Sequence, residues 1–143
     1  MKHLFYILLV CSLSGQAQNF AKLWQPIQAR IDKGGSFSNE ELNSFLKTHD
    51  KLLQQNLIEK SILIDYLGSN AFKAEQYEES VNYFNQAIDI CNSINDTVYR
   101  AFYIYDLACL YNHIGYYTDA ESLFLKSFLN IKLLTPLSNS FCV

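Results

Sequence analysis

The sequence predicts an all-α fold made of antiparallel helical hairpins. Three observations predict it. Apolar residues recur at helical spacing along most of the chain, without the period-two alternation or the Asn-Gly and Asp-Gly turns of strands. Helix-stop and helix-start residues punctuate it at Gly34-Gly35, Glu75-Gln76, Asn95-Asp96 and Gly115. The second half of the chain also matches itself after a shift of 40 residues. Half of the 143 residues are hydrophobic and 17% are charged, which supplies a core and excludes disorder as the main state. The net charge of −3 leaves no basic face for DNA or RNA, so no nucleic-acid partner is expected.

Residues 1–17 read as a secretory signal peptide of bacterial type. Lys2 is followed by the apolar stretch Leu4–Val10, and the small residues Gly15 and Ala17 stand third and first before a cut. The expected mature chain begins at Gln18 and is exported, periplasmic or secreted. The apolar run ends near Leu13, short of the ~20 residues that a membrane span needs. The alternative is a lipid anchor on Cys11, against which stands bulky Val10 where a small residue is wanted. No later segment is long or apolar enough to span, so the mature chain is expected to have no membrane span.

The first helix is expected from about Phe20 to Lys33, carrying Trp24, Ile27 and Ile31 and bent near its start by Pro26. Gly34-Gly35 ends it. Ser38-Asn39-Glu40-Glu41 is a capping box that opens a second helix to about Asn56. Its apolar side carries Leu42, Phe45, Leu46, Leu52 and Leu53. A third helix covers about Leu57–Lys73 and a fourth about Tyr77–Asn92. Asp96 lies in the cap of a fifth, about Thr97–Ile114, which Gly115 ends. Thr118-Asp119-Ala120-Glu121 reads as a second capping box for a sixth helix that runs to about Leu134, where Pro136 stops it.

The 40-residue shift sets Ile64 on Ile104, Leu67 on Leu107, Tyr77 on Tyr117 and Phe84 on Phe124. Gly68 falls on Ala108 and Ser80 on Ala120, so small residues recur where two helices must approach closely. One copy reads Ile64-x2-Leu67-Gly68-x2-Ala71, then Tyr77, Ser80-x3-Phe84 and Ala87; the other reads Ile104-x2-Leu107-Ala108-x2-Tyr111, then Gly115, Tyr117, Ala120-x3-Phe124 and Ser127. These spacings resemble the tetratricopeptide repeat, in the long-period variety found in kinesin light chains. Ala71, Ser80, Ser127 and the missing early proline depart from that pattern. The resemblance covers 61–134. Trp24, Ile27 and Gly35 also fall on repeat positions, whereas Glu40 and Ser44 do not, so the first hairpin is either a degenerate repeat or a helical cap. The resulting organisation is signal peptide 1–17, N-terminal hairpin 18–56, repeats 57–94 and 95–135, and tail 136–143.

The resemblance implies a short right-handed α-solenoid whose first helix in each repeat lines a concave side. It also implies a non-catalytic scaffold or adaptor that binds a protein or peptide. The groove positions carried over are Ile62, Asp65, Ser69 and Phe72, then Phe102, Tyr105, Cys109 and Asn112. Asp65 and Tyr105 stand where chaperone-binding members need Lys or Asn, so a basic clamp for a terminal carboxylate is not expected. The last repeat would leave an apolar edge uncapped, for a second copy to cover in a homo-oligomer or for a following domain. The alternative is therefore the N-terminal sensory or regulatory region of a larger signalling protein or protease-like enzyme.

No chemistry-bearing motif competes with this reading. Gly-x-Ser-x-Gly, a phosphate-binding glycine loop and His-Glu-x-x-His do not occur, and no catalytic residue, cofactor or metal is expected. His49 and His113 have no second ligand at helical spacing. Cys109 and His113 share a helix face but lack an orienting group. Of the four cysteines, Cys91 and Cys109 read as small buried hydrophobes, and whether they pair is left open.

Overall fold

The computed structural model describes residues 19–132, and every regular element among them is an α-helix. Helix α1 covers 19–32. It is followed by α2 (Asn39–Thr48), α3 (Asp50–Leu53), α4 (Leu57–Lys73), α5 (Tyr77–Ser93), α6 (Thr97–His113) and α7 (Tyr117–Lys132). The expected leader with Cys11, the new terminus Gln18, the stop at Pro136, Cys142 and the tail 136–143 lie outside the described residues. Among the described residues no helix is long and apolar enough to cross a membrane.

The chain divides into two compact units between Phe37 and Ser38. In the first, α1 runs unbroken through Pro26. Phe20 stacks on Trp24 with ring centroids 6.2 Å apart, and the Arg30 guanidinium lies 4.4 Å over the Phe37 ring. In the second unit α4 packs on α5, α5 on α6 and α6 on α7, while α4 also touches α2 and α6.

Large residues set against small ones hold these helices together. Phe84 is buried with Leu107 and Leu110, and a second cluster joins Ile64, Ala87, Cys91 and Tyr103. Gly68 lies directly beneath Phe84: a Cβ built there would sit 2.8 Å from two ring carbons. The two serines that depart from the repeat pattern have a common use. Ser80 Oγ donates to the Gly68 carbonyl at 2.8 Å, and Ser127 Oγ donates to the Ala101 carbonyl at 2.8 Å. Each ties the second helix of a pair to the backbone of the first, inside the core.

Four helices close in the same way. Gly34, Glu75, Asn95 and Gly115 all have positive φ. The next N–H in each case reaches back five residues: Gly35 to Arg30, Gln76 to Ala71, Asp96 to Cys91 and Tyr116 to Tyr111. This is the Schellman closure, in which a left-handed residue satisfies carbonyls left over at a helix end. The starts are capped as expected at Ser38, where both arms of the capping box form, and at Asp96, whose carboxylate accepts from the Tyr99 N–H.

Two expected features differ. The second helix does not run to Asn56. It breaks at His49, whose backbone (φ −113°, ψ 19°) leaves the helical region, and a single further turn, α3, follows. The His49 carbonyl still accepts from Leu52 and Leu53, so the break costs little hydrogen bonding. The capping box at Thr118–Glu121 is also displaced. Helix α7 already begins at Tyr117, and the Tyr116 carbonyl accepts from the Ala120 N–H. Thr118 is therefore the second residue of the helix. The tight closure at Gly115 restarts the chain too early for it to cap.

Candidate functional site

The expected groove residues sit on two neighbouring helices, α4 and α6. Helical spacing puts Ile62, Asp65, Ser69 and Phe72 on one face of α4, and Phe102, Tyr105, Cys109 and Asn112 on one face of α6. Phe102 and Tyr105 stand 54% and 52% exposed, which is unusual for aromatic rings in a core-forming helix. Asn112 is exposed too, and the other five are partly buried. The Tyr105 ring meets Phe124 edge-on at 5.4 Å and its hydroxyl is hydrogen-bonded to the Cys109 thiol. Phe72 meets His113 edge-on at 5.1 Å, and the Tyr77 hydroxyl lies 3.4 Å from His113 Nε2.

The feature that ties the two helices together is a pair of carboxyl groups. Asp65 of α4 and Asp106 of α6 lie within hydrogen-bonding reach of each other. Burial, and then the neighbouring Asp106 charge, push Asp65 up from 3.8 to about 8. Burial pushes Asp106 up to about 6, opposed by the hydrogen bond from Asp65 that favours its charged form. Burial and the neighbouring carboxyl thus favour a proton on Asp65 over one on Asp106. The other oxygen, Asp65 Oδ1, is sealed from solvent and has no hydrogen-bond partner.

Behind the pair runs a buried polar string. Ser61 Oγ donates to the Ile58 carbonyl, lies 3.0 Å from the Tyr103 hydroxyl, and receives the Cys91 thiol at 4.0 Å. Burial raises the Tyr103 hydroxyl and pushes the Cys91 thiol up to about 11. Burial likewise raises the Cys109 thiol, against the Tyr105 hydrogen bond. Cys91 and Cys109 are free thiols. A raised thiol is the opposite of what a nucleophile beside His113 would need. Among the described residues no three His, Cys, Asp or Glu side chains gather as a metal site would require.

Asp106 and His113 were not among the expected residues, although both lie on the same side of α6 as Phe102 and Cys109. The 40-residue comparison set Asp65 against Tyr105 and so hid Asp106, one position on. Three hollows lie elsewhere in this unit: about 690 Å³ bounded by α2–α5, about 660 Å³ at the start of α5, and about 490 Å³ bounded by α5, α6 and α7. None is lined by the eight expected residues. The chain is an all-α protein with exposed aromatic rings on α6 and a largely buried carboxyl pair between α4 and α6. No protein-family model, curated protein or solved structure matches it.

Proposed function

We propose that this chain is an exported, non-catalytic module of the tetratricopeptide-repeat kind, and that it binds a protein or peptide on the α4–α6 face. The observation that carries the reading is the exposure of Phe102 and Tyr105 on α6, close to the paired carboxyls and beside the contacting helix α4. Rigid aromatic rings with a polar tip give large contact area at low entropic cost. The pairs α4–α5 and α6–α7, each held by a buried serine that donates from the second helix to a backbone carbonyl of the first, support the hairpin reading. The leader at 1–17 supports export.

Peptide-phage selection on the purified chain tests this, with Tyr105→Glu as the counter-selected protein. Enriched peptides should share a motif and lose binding to the variant. Enrichment without a motif, or binding indifferent to Tyr105→Glu, refutes the proposal.

A second reading, the N-terminal regulatory region of a larger protein, is favoured by α7. Forty residues on from Ile88 and Cys91, which pack toward α6, α7 carries Phe128 and Ile131, 63% and 43% exposed. A following helix stacked as α6 stacks on α5 would cover both.

A further inference from the structure

We infer that the groove bounded by α5, α6 and α7 is a second docking site, for an acidic amphipathic segment of another protein. Its aliphatic residues would enter the groove and its carboxylate would engage Arg100. This surface is separate from the α4–α6 face. On α6, Arg100 and Ile104 point to one side and Phe102, Tyr105 and Cys109 to the other, by helical spacing.

The groove has a volume of about 490 Å³ and an aliphatic lining of Ile88, Ile104, Leu125 and Leu129. Leu125 and Leu129 are 59% and 58% exposed. The residues 40 earlier, Asn85 and Asp89, are also exposed, and they are polar. The repeat thus leaves these two positions in water, and only α7 fills them with leucine. A further stacked repeat would leave them uncovered, so continuation of the solenoid does not account for them. Their spacing of one helical turn suits leucines four apart on a docked helix.

The charge in the groove selects the sign of the partner. Arg100 is held across it by two neutral amides: Nη1 donates to Asn92 Oδ1 and Nη2 to Asn130 Oδ1, each at 3.2 Å. These bonds use two of the five guanidinium donors and cancel none of its charge. Lys126 adds a second cation, and no Asp or Glu is among the described residues that line the groove. In a chain of net charge −3 this is a local reversal. A fork fixed in place by its neighbours binds a carboxylate without first losing rotamer freedom.

Fluorescence anisotropy on the purified chain tests the inference. The probes are two labelled helical peptides with the same leucine stripe, one flanked by Glu and one by Lys. The Glu peptide should bind at least about tenfold tighter, since only its carboxylates can accept from the Arg100 guanidinium while the Lys peptide meets like charge. Arg100→Gln and Leu129→Ser should each weaken it about tenfold or more, and Tyr105→Glu should leave it unchanged. Leu129 is exposed, so its variant reads the groove even where Arg100→Gln disturbs the fold. Four results overturn the inference: neither peptide binds, both bind alike, Tyr105→Glu alone abolishes binding, or the chain forms a concentration-dependent dimer that Leu129→Ser dissociates. The first, second and fourth results concern the groove alone, and the third moves the peptide to the α4–α6 face, so failure here leaves the α4–α6 reading standing.

Discussion

The Asp65–Asp106 pair makes stability depend on pH in a defined direction. Both carboxyls are raised above 3.8, Asp65 to about 8 and Asp106 to about 6. A raised acid contributes stability at low pH, where it is protonated in both states, and loses it as pH climbs through the folded value. The loss therefore begins above about pH 4 and ends near pH 8. One proton retained only by the folded chain costs about 1.4 kcal/mol per pH unit. Between pH 5 and pH 8 the ceiling is about 4 kcal/mol for Asp65, with about 1.4 kcal/mol more from Asp106 below pH 6, close to the whole stability of a small domain. Local opening that admits water to the pair limits the loss, and we expect on the order of 2 kcal/mol. The groups bearing on the pair, Tyr66, Cys91, Tyr103, Tyr105 and Cys109, are phenols and thiols. They supply no charge of their own at these pH values. Urea unfolding followed by circular dichroism at constant salt, from pH 5 to pH 8, measures the slope. Asp65→Asn removes the proton while its amide can still donate to Asp106. The wild-type chain should lose about 2 kcal/mol more than this variant over that range. Parallel profiles, or a wild-type chain that gains stability as pH rises, would refute the shared proton.

Gly68→Ala sets two effects against each other. Helix propensity favours alanine by about 1 kcal/mol, but a methyl 2.8 Å from the buried Phe84 ring overpacks the core at about 1–3 kcal/mol. The net change should be destabilising, lowering Tm by about 4–8 °C per kcal/mol, and Phe84→Leu in the same chain should recover part of it; a rise in Tm for Gly68→Ala alone would show that the contact is slack. Glu75 holds φ +60°, where Gly115 stands one repeat later, so Glu75→Gly should raise stability by about 0.5–1 kcal/mol in urea titrations. Tyr105→Glu should abolish peptide capture on the α4–α6 face, and Arg100→Gln should weaken the Glu-flanked peptide alone.

What could be read from the chain was local chemistry. Ser38 with Glu41, Asp96, Gly34 and Gly115 each announce a helix end through their own side chain or lack of one, and the helices α4, α5 and α6 fall within a residue of the expected bounds. The contact of Gly68 with Phe84 was legible for a related reason, since the pattern of small and large residues repeats at a fixed offset. The rest depended on geometry between segments. The breaks at Glu75 and Asn95 were expected, but not that these two residues would take the positive φ of Gly34 and Gly115 without being glycine. Thr118 has the residues of a cap, but the turn at Gly115 and Tyr116 had already started the helix. The acid pair joins positions 41 apart where the repeat runs at 40. The pair joins side chains on different helices, and no single-helix pattern encodes that.

One helix carries both proposed surfaces, and this makes them separable. Helix α6 presents Phe102, Tyr105 and Cys109 toward the face shared with α4, and Arg100 with Ile104 toward the groove beside α5 and α7. The α4–α6 face is aromatic and holds an acid pair that gains negative charge as pH rises through about 6 to about 8. The groove is aliphatic and cationic. A partner suited to one is repelled by the other on charge alone, and screening by salt weakens an exposed attraction such as that of Arg100 more than one sealed beside Asp65. Ligands of the two sides should therefore part in two ways: alkaline pH should change affinity on the α4–α6 face and leave the groove unaffected, and added salt should weaken the groove first. If both ligands respond alike to pH and to salt, α6 carries one surface, and the division drawn from its two sides fails.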